Sequence, residues 1–492
     1  MTGQLRRSFL AALFLAAAWV ARGLADVPPP ATVTILHFND VYEIDAVEDG
    51  RAGGLARVAT SLARLKRSGP VLSTLGGDFL SPSAIGTARV NGEPLAGRQM
   101  VGVLNTLGLN WATLGNHEFD LAEAAFRARL AEAKFRIVAS NVTDAAGQLF
   151  PGTVKSAVVP VVANGRTLRL GLIGLTIDST RKPWVQYQDP VEAARAQVAS
   201  LRGRADAMIA LTHLALAGDQ ALVEGVPEID VALGGHEHEN WMIRRGPAFT
   251  PIVKADANVR SIAIVSLGFR KPGERPTVSA RFEVLDAKVA QDRRVQAEVQ
   301  RWITTAFDAF RKDGFAPETV IAKTTTVLDG RESTVRNRPG PLTDLITAAM
   351  ARETGPVDVV LLNGGSIRID DELQPGPIRQ YDVIRILPFG GKIVRATFEG
   401  SLLAEVLDIG VTNRGTGGYL QLRGAARPDA TWLIQGKPID RTARYSVAVP
   451  EFLLTGGEAN LKFLTRTEPR VSNVQEFRDV RLAVIEELRA GK

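Results

Sequence analysis

Residues 111–120 read WATLGNHEFD. The first four favour a short strand, and Gly115 ends it. An amide, an imidazole and two carboxylates then follow in close succession on the loop where the strand stops. Loops at strand ends are common seats of active-site residues, and four similar loops lie on either side. HFND brings Asp40 after VTIL (33–36), and GGD brings Asp78 after VLSTL (71–75). LTH brings His213 after AMIAL (207–211), and GGHEH brings His236 and His238 after VAL (231–233). RIVA (136–139) and LRLGLIG (168–174) are two further strand candidates. Between the strands, Leu55, Val58, Leu62 and Leu65 recur at helical spacing, as do Phe126 and Leu130. Apolar strands alternating with amphipathic helices predict a layered α/β domain over about 30–288.

Composition narrows the chemistry. The 492 residues leave room for two or three domains, and there is no cysteine. Thiolate zinc sites, thiol nucleophiles and disulfides are therefore excluded. The net charge is +6, but Arg6, Arg7 and Arg22 at the N-terminus supply half of it. No dense basic run remains, which argues against a nucleic-acid polymer as partner. Residues 1–25 read as an export signal: a basic start, the apolar run FLAALFLAAAWV, then small residues before Asp26. That run is too short for a membrane span, and RRSFL fits the twin-arginine pattern. The expected location is periplasmic or secreted, and no membrane span is expected.

A charged helix, QDRRVQAEVQRWITTAFDAF, predicts a linker over 289–318. A second α/β unit is expected over 319–480. Its candidate strands are Val357–Leu362, Lys392–Phe398 and Tyr445–Val449, and its candidate helices are Leu342–Arg352 and Leu402–Ile409.

Of the five histidines, His117, His213, His236 and His238 all sit in the strand-end loops. His37, inside HFND, reads as structural. One histidine at a strand end says little, but recurrence after successive strands says more. Asp, Asn and His donors without thiolate suit a borderline-hard divalent ion. A carboxylate shared by two ions holds them about 3.5–4 Å apart, as in two-metal phosphatases.

In this order, the motifs resemble those of the calcineurin-like metallophosphoesterases, and more closely the 5′-nucleotidase / UDP-sugar hydrolase family. The resemblance covers nearly all of residues 30–475. It implies a four-layer α/β/β/α metallophosphoesterase domain and a smaller C-terminal α/β nucleotide-binding domain. It implies two divalent metal ions (Mn, Zn, Mg or Co), one on Asp40, Asp78 and His238, the other on Asp78, Asn116, His213 and His236. His117, oriented by Asp120, would contact the phosphate and stabilise the leaving oxygen, while hydroxide shared by the metals attacks phosphorus in line. One position departs from the pattern: where the family usually has Asp-x-His, this chain has Asp40-Val41-Tyr42. Tyr42 as a phenolate ligand, as a spectator, or as the mark of a weakened first site remain alternatives.

The second unit carries NGGSIR (363–368), LPFGG (387–391), GGYLQL (417–422) and EFLLTGGE (451–458). Each alone is an ordinary glycine turn. Together they resemble the family's nucleotide-binding domain, in which Phe389 and Phe452 would sandwich a base. Asn363 and Arg368 match residues that contact nucleoside or phosphate, and Arg338 aligns loosely with another family arginine. Glu458 stands where a ribose-binding Asp is usual. The implied activity is removal of the 5′-phosphate from nucleotides. UDP-sugars, 2′,3′-cyclic nucleotides, a sulfur substrate, or nucleotide binding with weakened catalysis are the alternatives, and the oligomeric state stays open.

Overall fold

The structure, a computed structural model, describes residues 30–491, so the export signal expected at 1–25 lies outside the described residues. Two sheets stack in the N-terminal part. The first has seven strands in the spatial order Thr153–Val154, Arg136–Val138, Trp111–Thr113, Val71–Gly76, Ala31–Phe38, Ser261–Phe269 and Thr277–Val284. The second has six, in the order Ser156–Ala163, Arg166–Thr176, Ala207–His213, Val231–Gly234, Thr250–Lys254 and Trp241–Arg245.

Period-two patterning explains the stacking. Val33 and Ile35 of the first sheet and Leu168, Leu170 and Leu172 of the second all point into one apolar layer between the sheets. Leu36 and Phe38 point the other way, onto helices Leu55–Lys66, Arg98–Leu107 and Arg293–Lys312. The outer face of the second sheet is covered by Pro190–Leu201 and Leu216–Gly225, through Ile173, Leu175, Ala194, Val198 and Leu222. Four layers result, α/β/β/α, as the resemblance implied.

The helix Arg293–Lys312 does not bridge open space. Val295, Val299, Trp302 and Phe310 bury one stripe in the N-terminal helical layer, and the same apolar cluster continues into Ile346, Met350, Ile384 and Val484 beyond it. There a five-stranded sheet, in the order Leu420–Arg423, Val359–Asn363, Arg444–Pro450, Lys392–Glu399 and Val471–Asp479, has helices Pro341–Thr354 and Val480–Ala490 on one face. Helix Gly400–Thr412 packs on the other face through Leu402, Leu403, Val406 and Leu407. Among the described residues, no helix is long and apolar enough to cross a membrane.

Candidate metal centre and substrate cavity

Parallel pairing in register brings the strand-end loops to one edge. Ala31–Phe38 runs parallel to Val71–Gly76, and that strand to Trp111–Thr113. In the facing sheet, Arg166–Thr176, Ala207–His213 and Val231–Gly234 are also parallel. Asp40, Asp78 and His213 thereby converge, with one ligand atom of each within 4.8 Å of the others. All three are fully or almost fully buried.

The surrounding bonds fix how each donor points. One oxygen of Asp40 accepts from Asn39 Nδ2 (2.7 Å) and from the His236 backbone N–H (2.9 Å). Its other oxygen is 3.3 Å from His238 Nε2. Asp78 Oδ1 accepts from the His117 backbone N–H (2.8 Å), leaving Oδ2 facing His213 Nε2 at 3.1 Å. His213 Nδ1 donates to the Gly76 carbonyl at 2.7 Å, so its Nε2 carries the free lone pair. The His236 ring packs edge-on to that of His213, with centroids 5.3 Å apart. Asp40, Asp78, His236 and His238 all adopt positive φ, of 51°, 54°, 88° and 57°. That conformation is uncommon for residues with a side chain, though Asp and His adopt it more readily than most.

These donors fit divalent ions. His213 Nε2 and Asn116 Oδ1 are buried and, among the described residues, lack a hydrogen-bond partner. Such orphaned groups are rare and call for an explanation. The electrostatics agree. Burial alone would discharge His213, but Asp78 and Asp40 push its pKa up to about 9. Burial would likewise raise Asp40, yet His213 and His238 hold its carboxyl well below the usual range. The paired carboxylates thus favour positive charge at this position. His236 differs: burial and the neighbouring His213 lower it to about 4, leaving a neutral imidazole able to donate a lone pair.

Tyr42 does not turn away from this cluster. Its hydroxyl lies 2.9 Å from His238 Nε2, 3.3 Å from Asp40 Oδ1 and 3.4 Å from Asp78 Oδ2. Burial, then the charges of Asp78 and Asp40, raise its pKa well above 10. His117 Nδ1 bonds Asp120 Oδ2 at 2.6 Å, and its Nε2 is 4.0 Å from Asp78. Burial lowers the His117 pKa, but Asp78 and Asp120 more than reverse this. His37 is a brace: it is fully buried between Thr74 Oγ1 (2.9 Å) and the Gly234 carbonyl (3.1 Å).

A cavity of about 720 Å³ lies between the two domains, lined by Phe389, Phe452, Asn363, Arg368 and Glu458 on one side and by Asp120 and Lys182 on the other. Both phenylalanines are about half exposed, at 56% and 44%, and they line the same cavity. The Arg368 guanidinium lies 5.7 Å from the Phe389 centroid and 3.2 Å from Glu332. Asn363 Nδ2 donates to Glu458 Oε2 (2.8 Å), and Ser366 donates to Asn363 Oδ1 (2.6 Å). The loops at Gly365 and Gly417 touch, and a Cβ on Gly365 would come within 3.1 Å of Gly417. Arg338 is not brought to the cavity. It is exposed, and its carbonyl is held by Gln421 Nε2 at 2.9 Å.

Three supporting residues show their role only in the folded structure. Glu118 is fully buried and accepts backbone N–H bonds from Asp78, Phe79, Leu80 and Gly115, clamping the loops of Asp78 and Asn116 together. Lys254 is equally buried. Its ammonium donates to the carbonyls of Leu214 (2.6 Å) and Gly235 (2.8 Å) and pairs with Asp219 (2.7 Å) and Glu237. Asp370, from the C-terminal domain, accepts from His238 Nδ1.

Two facing sheets with buried Asp, Asn and His donors gathered on their edge loops define a metal-dependent phosphoesterase. Residues 33–240 match the family described as calcineurin-like phosphoesterase, and residues 320–466 match the 5′-nucleotidase C-terminal domain. The 5′-nucleotidase of Bos taurus is 26% identical over 87% of this chain and 84% of its own length. The snake venom 5′-nucleotidase of Crotalus adamanteus is 25% identical over 91% and 85%. Among solved structures, a 5′-nucleotidase precursor from Thermus thermophilus superposes with a TM-score of 0.74, at 24% identity over 94% of this chain and 97% of that one. A sulfate thiohydrolase from the same organism superposes at 0.71, with 17% identity and 95% of each chain covered, a likeness of fold alone. The chain thus carries a calcineurin-like phosphoesterase domain followed by a 5′-nucleotidase C-terminal domain, and the two together indicate a metal-dependent hydrolase of phosphoric monoesters.

Proposed function

We propose that this protein is an exported enzyme that removes the 5′-phosphate from nucleotides. The observation that carries the reading is the shared cavity: the phenylalanine pair and Arg368 face the same space as Asp120, the partner of His117. A nucleotide with its base between Phe389 and Phe452 would extend its phosphate toward His117. Stacking on such rings contributes about 1–3 kcal/mol per base and tolerates base identity. Asn363 and Glu458 would bond the ribose, and Arg368 would hold phosphate oxygens.

Asp40, Asp78 and His238 would hold one divalent ion and Asp78, Asn116, His213 and His236 a second, with Asp78 between them. Such ions supply Lewis acidity toward phosphate and lower the pKa of water. The chain does the rest. Asp120 fixes the His117 ring through Nδ1, so Nε2 can donate to the leaving oxygen. The flanking carboxylates favour the imidazolium form that this donation needs. Tyr42 is assigned as a neutral phenol that bonds the neighbouring donors. Base-bearing substrates are favoured over a sulfur substrate because a small sulfur anion has no use for the phenylalanine pair.

Asp78→Asn tests the assignment. Phosphate release from a nucleoside monophosphate should vanish, and bound metal should fall to one ion or none. Wild-type turnover with undiminished metal would refute it.

A further inference from the structure

The two histidines whose Nε2 atoms face Asp78 and Asp40 are braced differently. His213 presents Nε2 because its Nδ1 is held by Gly76, a residue of its own domain. His238 presents Nε2 toward Asp40, but its Nδ1 is held by Asp370, which the other domain supplies. Asp370 is itself fixed, its second oxygen accepting the Glu332 backbone N–H at 2.8 Å. Next to it, Asp371 pairs with Arg260 of the N-terminal domain at 2.7 Å and with Arg385 at 3.4 Å. Arg385 reaches back to Glu43, beside Tyr42, at 3.2 Å, and Arg260 also bonds Glu48 at 3.0 Å. A chain of alternating charges thus stitches the domains together next to the metal centre, and Arg385, Asp371 and Glu43 within it are largely buried.

We propose that Asp370 is a positioning residue for the metal centre, so that the ion at His238 binds at full strength only when the C-terminal domain is docked. The inference rests on His238 being a ligand, as assigned above. A carboxylate on the far nitrogen selects the imidazole tautomer and fixes the ring, and losing such a partner typically costs about 10- to 100-fold in metal affinity. Undocking removes that partner from His238 and leaves His213 untouched, so the two ions respond differently. Linkage then runs both ways: an ion that prefers the docked state favours docking by the same factor.

The absence of cysteine gives a clean test, because dyes can be attached to Val162→Cys and Val474→Cys, both exposed and one in each domain. Mn²⁺ would be titrated into the full chain by calorimetry while energy transfer between the dyes reports docking. Wild type should bind two ions and shift its energy transfer as they bind. In Asp370→Ala one of the two ions, that at His238, should lose about 10- to 100-fold in affinity, and the shift should disappear. Asp370→Asn keeps an acceptor for Nδ1 and should recover most of the affinity, whereas a simple charge pair would not be rescued. Arg385→Gln loosens docking without touching His238 and should weaken the same ion. A folded Asp370→Ala that binds both ions as wild type does would overturn the proposal. So would unchanged Mn²⁺ affinity in Arg385→Gln with the dyes moved apart. In those cases the metal assignment survives; if wild type binds no Mn²⁺, that assignment fails and the proposal with it.

Discussion

Lys254→Met is the sharpest probe of how the ligand loops are held. Methionine keeps most of the stem's length and volume, so little cavity is created and the change is almost purely electrostatic. What is lost is an ammonium with four partners: two carbonyls, Asp219 and Glu237. Asp219 is fully buried, so it is left as an uncompensated charge. Removing one member of a buried pair typically costs about 3–5 kcal/mol. Because the stranded carbonyls share that network, their cost does not simply add. The expected loss is therefore about 3–5 kcal/mol in urea unfolding of the N-terminal domain. Bound metal should fall as well, since Leu214 follows His213 and Gly235 precedes His236. The pH dependence has a definite sign. Burial already raises the Asp219 pKa, and without Lys254 it must rise further. The folded variant then binds a proton that the unfolded chain does not, so its deficit should be largest near neutrality and shrink as pH falls toward the ordinary carboxylate range. Asp219→Asn in the Lys254→Met background should recover part of the loss. A deficit below about 1 kcal/mol with metal retained would refute the reasoning, because a net hydrogen bond alone is worth that much.

Further expectations concern the chemistry. His117→Ala should keep its metal yet lose about 10²–10⁴ in rate, the usual worth of a positioned acid; metal analysis beside kinetics checks this, and metal loss would show that His117 is a ligand. Phe452→Ala should raise KM strongly for a nucleoside monophosphate and little for a small aryl phosphate. Equal losses on both would make Phe452 a fold residue. Tyr42→Phe should leave metal content and rate nearly unchanged, and the wild-type protein should be colourless; an iron–phenolate absorption band that disappears in the variant would overturn the neutral-phenol assignment.

Much of the candidate site was readable in one dimension. Asp40, Asp78, Asn116, His117, His213, His236 and His238 each follow an apolar run, and a polar residue just after a strand stands out against it. The residues that hold them do not. Lys254 ends the strand TPIVK and reads as an ordinary solvent-facing terminus; its meaning comes from Asp219, Leu214 and Gly235, which only the folded sheet brings near. Glu118 sits inside the recognised GNHEFD, but its four backbone partners include Asp78, Phe79 and Leu80 from another loop. Asp370 lies beyond a domain boundary from His238. The strand Ser261–Phe269 shows a further limit: its apolar run is plain, but nothing local says that it pairs antiparallel with Ala31–Phe38 inside the first sheet.

The positive φ values at Asp40, Asp78, His236 and His238 carry a consequence for how such a site is kept through evolution. Each position is one that glycine would occupy at lower backbone cost, by about 1 kcal/mol or more. At His236 and His238, drift toward stability alone would thus favour glycine, whereas Asp40 and Asp78 also accept buried backbone N–H or amide bonds that glycine would strand. A library of this gene selected only for thermal resistance, under metal chelation, should gather glycine at His236 and His238, whereas selection for phosphate release should purge it. If these four residues are ligands, as proposed, the backbone cost at their loops is one that ion binding offsets.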